Sequence, residues 1–186
     1  NYSDHAISTV DYDREEAAYK AVEHLVSKKH RRIGFIGGGN DVNMASEKRF
    51  KGYKKAMHEF GLTIEETWII NSGWCLEKSY KSSMELLSWP QNSRPTAILC
   101  AGDLLAIAAM RAAHELGLNI PDEIAFIGID NNEMAQYVVP SLSTISIPQY
   151  EMGVVAAKIL LNQIEDRSNI DLKTLLPFEL LVRQST

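Results

Sequence analysis

Residues Ile124–Ile129 are apolar at every position, and the run ends at Asp130. A strand buried on one face alternates apolar and polar residues. One that is apolar throughout is buried on both faces, which points to a parallel sheet covered by helices on each side. In such sheets ligands gather at the carboxyl ends of the strands. Asp130 stands at such an end. A short helical patch and then Pro140-Ser-Leu-Ser-Thr follow it.

The rest of the chain repeats this alternation. Helical apolar spacing predicts helices over 15–28, 46–60, 76–88, 104–116 and 150–165. Between them lie short strands at 32–37, 67–71, 96–100, 124–129 and 143–147, with one or two more around Pro177. Strand, helix of ten to fifteen residues, strand is the pattern of right-handed βαβ units, so the fold class is α/β with a doubly wound parallel sheet. Inside the last long helix, Val154, Val155, Ile159, Leu160 and Ile164 are expected to pack. The stretch 165–173 is the most polar and reads as a surface loop.

A net charge of −5 argues against this piece gripping nucleic acid by its phosphates, which needs a basic face. Cys75 and Cys100 have no metal-type spacing and read as free thiols in a reducing compartment. There is no apolar run of membrane length and no basic-then-apolar leader, so a cytoplasmic chain is expected. The opening Asn-Tyr-Ser-Asp-His lacks a Met and reads as the start of a fragment or a processed chain.

Four successive strands end in Gly37-Gly-Gly-Asn-Asp, Ser72-Gly-Trp, Ala101-Gly-Asp and Asp130-Asn-Asn. Glycines let backbone amides approach a ligand. Carboxylates and amides bind hydroxyls, and Trp74 adds a flat apolar face. Arg49, early in the next helix, carries a fork that grips a diol or carboxylate. The set suits a small polyhydroxylated molecule or a nucleobase. Asp103 reads equally as a helix cap or a ligand group.

Catalytic readings fail on spacing. Gly37-x-Gly39 is followed by Val42 where a dinucleotide loop needs glycine, and no Lys-Ser/Thr pair follows the glycines. There is no Gly-x-Ser-x-Gly elbow, and none of the five histidines sits at a strand exit. No catalytic residue, metal site or cofactor is expected.

The ordered motifs Val22-Glu-His-Leu-Val, His30-Arg-Arg-Ile-Gly-Phe-Ile-Gly-Gly, Arg49-Phe-Lys-Gly-Tyr, Pro95-Thr-Ala-Ile, Asp103-Leu-Leu-Ala, Gly117-Leu-x-Ile-Pro-Asp-Glu-Ile, Ile127-Gly-Ile-Asp, Pro140-Ser-Leu-Ser-Thr-Ile, Glu151-Met-Gly and Leu181-Val-Arg-Gln-Ser-Thr resemble the LacI/GalR transcription regulators over nearly the whole chain. The resemblance implies the effector-binding, periplasmic-binding-protein-like part of a repressor, without its helix-turn-helix headpiece. It implies a C-subdomain of residues 32–147 and 175–186, and a partial N-subdomain of 1–31 and 148–174. It implies a small-molecule effector, a sugar or related metabolite, and operator DNA reached only through the missing headpiece. A homodimer is implied too, with Ala106, Ala109, Met110 and Ala113 as a candidate contact and packing onto the sheet as the alternative. The effector residues implied are Arg49, Asp130, Trp74, Glu16, Gly102 and Asp103. Gly102 departs from the Asn-Asp that many members carry there. A sugar-binding component of a transporter, which shares the fold, is the competing reading.

Overall fold

The computed structural model describes residues 8–38, 44–165 and 173–186, with side chains at 44–46 left aside. In chain order the elements are β1 (Thr9–Asp11), α1 (Arg14–Ser27), β2 (Ile33–Gly37), α2 (Met44–Glu59), β3 (Ile69–Asn71), α3 (Leu76–Leu87), β4 (Ala97–Cys100), α4 (Asp103–Glu115), β5 (Ala125–Ile129), β6 (Ser143–Ser146), α5 (Gln149–Glu165), β7 (Lys173–Leu175) and β8 (Glu179–Leu181). Short 3₁₀ turns occupy Glu66–Trp68 and Glu133–Gln136. The glycine loop beyond Gly38 and most of the polar stretch 165–173 lie outside the described residues.

The chain divides into two compact units. One comprises Asn1–Asp13 and Ile147–Glu179, the other Arg14–Ser146 and Leu180–Thr186. The larger unit carries the six-stranded sheet in the order β3-β2-β4-β5-β6-β8. The pairs β2–β3, β2–β4, β4–β5 and β5–β6 are all parallel. Strands β2, β4 and β5 are buried at every position, as expected of central strands covered on both faces.

The helices seat on this sheet by residues of fitting size. Ala17, Ala18, Ala21, Val22 and Leu25 of α1 are fully buried. α1 packs along α2, and the two backbones approach closely at Gly52. A Cβ there would stand 2.0 Å from the Glu15 carbonyl oxygen. Helix α1 therefore belongs with the larger unit, and the first boundary falls between Asp13 and Arg14 rather than near Arg31. Amphipathic spacing gave α1 a buried face without saying which sheet covers it. Ala106, Ala109, Met110 and Ala113 of α4 also face inward and are buried, so they are core and not a contact between copies.

The smaller unit holds β1 and β7, paired in parallel from Thr9↔Lys173 to Asp11↔Leu175. The tail predicted as one or two strands splits at Pro177, with β7 in this small sheet and β8 in the large one. The packing expected within α5 is not found. None of its side chains is buried, and Leu160, Leu161 and Ile164 are exposed. Two short strands offer too little apolar surface to cover a 17-residue helix.

Candidate functional site

The motif Arg49-x-x-Gly52-Tyr53 places three residues on one face of α2. Tyr53 is buried and donates its hydroxyl to the Ile33 carbonyl at 2.8 Å. Its ring packs on Phe35 and Phe50, with centroids 5.3 and 5.9 Å away. Gly52 admits α1. One turn earlier Arg49 is carried to the carboxyl ends of the strands, where it is 3% exposed. One Nη donates to the Ala101 carbonyl at the exit of β4. The other donates to Asp130 Oδ1 at 2.7 Å. The guanidinium also lies 5.7 Å from the centre of the Trp74 ring.

Asp130 therefore faces a buried cation on one side and remains partly open on the other. Burial pushes its carboxyl above the usual range, against the pull of Arg49 and, more weakly, of Arg14. Its backbone φ is 120° and that of Asn131 is 52°. Such values cost non-glycine residues about 1–3 kcal/mol and persist where surroundings over-determine them.

The surroundings do so here. The Asp130 amide donates to the Ile145 carbonyl at 2.9 Å, and the Asn132 amide to Asp103 Oδ2 at 2.6 Å. The Thr144 hydroxyl donates to Asp103 Oδ1 at 2.6 Å. Both oxygens of Asp103 are thus engaged, and its carboxylate ties α4, β6 and the loop after β5 together. Burial pushes its carboxyl up to about 6. Room for it comes from Gly128, where a Cβ would stand 2.1 Å from Asp103 Oδ1. Beside it, burial and the Asp103 charge raise the Cys100 thiol, which keeps that thiol protonated and unreactive.

Gly102 does similar work for the aromatic wall. A Cβ there would stand 2.7 Å from Trp74 Cζ3 and 3.3 Å from Asp130 Oδ2. The indole thus occupies the space that a side chain at 102 would fill, which accounts for the departure from Asn at that position.

These residues surround a cavity of about 260 Å³ lined by Trp74, Leu76, Gly102, Asp103, Leu104, Leu105, Asp130 and Asn132. Arg49 stands behind Asp130 rather than in the lining. Glu16, in the first turn of α1, is not among the lining residues. Leu76, Leu104 and Leu105 were not anticipated, although Leu76 opens α3 and the other two follow Asp103 in the first turn of α4; Asn132 belongs to the Asp130-Asn-Asn exit. Among the described residues, no group of three or more His, Cys, Asp or Glu could hold a metal ion.

Residues 22–186 match the model of a periplasmic binding protein-like domain. A regulatory protein of the LacI family from Chloroflexus aggregans superposes with a TM-score of 0.91 at 34% identity, over 98% of this chain and 64% of that one. The chain belongs to the LacI family. Another LacI-family regulator, from Enterococcus faecium with bound ribose, matches with a TM-score of 0.89 at 28% identity over 99% of this chain and 67% of that one. The repressor PurR of Escherichia coli O1:K1 is 37% identical over 152 residues, which are 82% of this chain and 44% of that protein. This LacI-family chain thus spans less than half the length of the curated relatives it matches. It corresponds to their effector-binding portion.

Proposed function

We propose that this chain is the effector-sensing part of a LacI-type transcriptional repressor, and that the effector is a small sugar. The observation that carries the reading is the Arg49–Asp130 pair, 2.7 Å apart with its arginine buried and its carboxylate partly open, beside an aromatic wall that lines a cavity. The open oxygen of Asp130 accepts hydrogen bonds from the sugar hydroxyls. Arg49, behind it, orients that carboxylate and favours its charged form. The Trp74 face covers the C–H side of a sugar ring. A cavity of about 260 Å³ beside the pair has room for a monosaccharide ring. Gly102 leaves the indole its place, and Asp103 holds the loop that presents Asp130.

In the intact repressor the sugar shifts the equilibrium between two states by its differential affinity for them, and so changes operator affinity. Protein and operator then meet in the cytoplasm. Among the described residues, no helix is long and apolar enough to cross a membrane.

The reading includes a homodimer. An apolar groove of about 370 Å³ between α3 and α4 is lined by Leu76, Tyr80, Leu104 and Ile107, with Glu77 and Arg111 at its rim. This apolar face is the one we assign to the second copy of a two-fold pair.

The test is calorimetric and thermal-shift screening of the intact protein against sugars, phosphosugars and purines, followed by Arg49→Ala and Asp130→Ala. Each variant should weaken the best hit at least thirtyfold. Parental affinity in both overturns the site.

A further inference from the structure

The loop that presents Asp130 touches the points where the chain passes between its two units. The chain crosses at Asp13/Arg14, Ser146/Ile147 and Glu179/Leu180. Asn131, next to Asp130, uses both ends of one amide. Its Nδ2 donates to Ser146 Oγ at 3.2 Å, at the last residue before the second crossing. Its Oδ1 accepts from Arg183 Nη2 at 2.8 Å, shortly after the third. Arg183 is fixed in turn, because its other Nη donates to the Leu142 carbonyl at 2.7 Å and its amide to Ser143 Oγ at 2.8 Å. Ser143 Oγ continues to Thr186 Oγ1 at 2.7 Å, and Thr186 Oγ1 to His24 Nε2 at 2.9 Å. The charge of Arg14, at the first crossing, is felt at Asp130 itself.

A side chain that only stabilised a turn would bond within the turn. Asn131 instead reaches 15 residues forward to Ser146 and 52 residues forward to Arg183. It does so from a left-handed backbone position that Asn tolerates better than most residues. Through it, any displacement of Asp130 pulls on two crossing segments at once.

We propose that Asn131, with Ser146 and Arg183, is a clasp that couples the effector loop to the segments joining the two units. It is a positioning element and not a ligand contact. Occupancy at Asp130 sets the loop, the loop sets the amide of Asn131, and that amide holds or releases residues 143–147 and 180–186. The inference rests on Asp130 being the effector carboxylate.

The test needs no effector, so its failure is separate from failure of the sugar reading. Amide hydrogen exchange of the whole chain, read by mass spectrometry over 142–149 and 181–186, reports opening of the two segments. Asp130→Asn weakens the charge pair with Arg49 at almost unchanged shape. It should raise exchange in both segments about tenfold. In an Asn131→Gly background the same change should add less than twofold over 181–186, because the side-chain link to Arg183 is cut while the Asp130 amide still holds Ile145.

Two gentler variants guard against misfolding and separate the arms. Ser146→Ala should reduce the Asp130→Asn response over 142–149 and leave that over 181–186 at its parental size, whereas Arg183→Gln, which also frees the Leu142 carbonyl, should remove the response from 181–186. A purely structural role would loosen both segments together in Ser146→Ala. An Asp130→Asn response that is absent, or that keeps its size over 181–186 without Asn131, overturns the clasp.

Discussion

Gly102→Ala is the substitution whose outcome the site geometry fixes most narrowly. The backbone at 102 is extended, with φ −160° and ψ 153°, so alanine brings no backbone strain. The new methyl would stand 2.7 Å from Trp74 Cζ3, about 1 Å inside the ~3.5–4.0 Å at which carbon atoms rest. Overpacking a closed core costs about 1–3 kcal/mol. Trp74, however, is 45% exposed, and its outer edge swings toward solvent. The folding cost should therefore stay under ~1 kcal/mol, or a Tm change of about 2–4 °C at most.

Ligand affinity should respond more. A tilted indole loses its face-on contact, worth about 0.5–1.5 kcal/mol, or roughly two- to twelvefold in Kd. The methyl also crowds Asp130 Oδ2 at 3.3 Å. Calorimetry with the best sugar hit reads the affinity, and acrylamide quenching of Trp74, taken as the difference from Trp74→Leu, reads the ring. In a Trp74→Leu background Gly102→Ala should cost less than twofold. Equal losses in both backgrounds, or no loss in either, refute the argument that Gly102 exists to seat the ring.

Asp103 holds its proton up to about pH 6 when folded but releases it near 3.8 when unfolded. The native state therefore binds more protons between those values, and stability from this group falls by ~3 kcal/mol as pH rises through the window. Urea midpoints at pH 4.5 and 7 should show a smaller pH dependence for Asp103→Asn than for the parent. Gly128→Ala drives a methyl into Asp103 Oδ1 and should lower stability by about 2–4 kcal/mol, seen as a lower urea midpoint at constant slope. Gly52→Val meets the Glu15 carbonyl, forces α1 and α2 apart, and should cost about 3 kcal/mol or more by thermal denaturation. Ile107→Asp in the α3–α4 groove should convert a dimer to monomers in sedimentation while the far-ultraviolet dichroism stays native, and a dimer that persists rules that face out.

Much of this arrangement was legible in the residues. A short all-apolar run such as β5, bounded by helices, points to a strand covered on both faces, and a carboxylate at its exit has few reasons to be there. The Arg49 motif was equally readable, because Gly52 and Tyr53 explain themselves once α2 is a helix. Partners chosen over long separations were not. Nothing local says that Thr144 and Asn132 converge on Asp103, or that the polar tail residue Arg183 answers Asn131. The apolar spacing of α5 was read correctly as a helix and wrongly as a packed one, because periodicity records a sticky face and is silent about what meets it. The same limit misplaced α1 relative to the first unit boundary.

The bare methylene at Gly128 and the carboxylate of Asp103 form a lock whose halves lie 25 positions apart along the chain. Descent must treat them as one character. A lineage that trims Asp103 first can later accept a side chain opposite it, whereas the reverse order passes through a variant that barely folds. Drift in this corner of the molecule is therefore one-directional, and a relative carrying alanine or valine at the first position should already have surrendered the acid at the second.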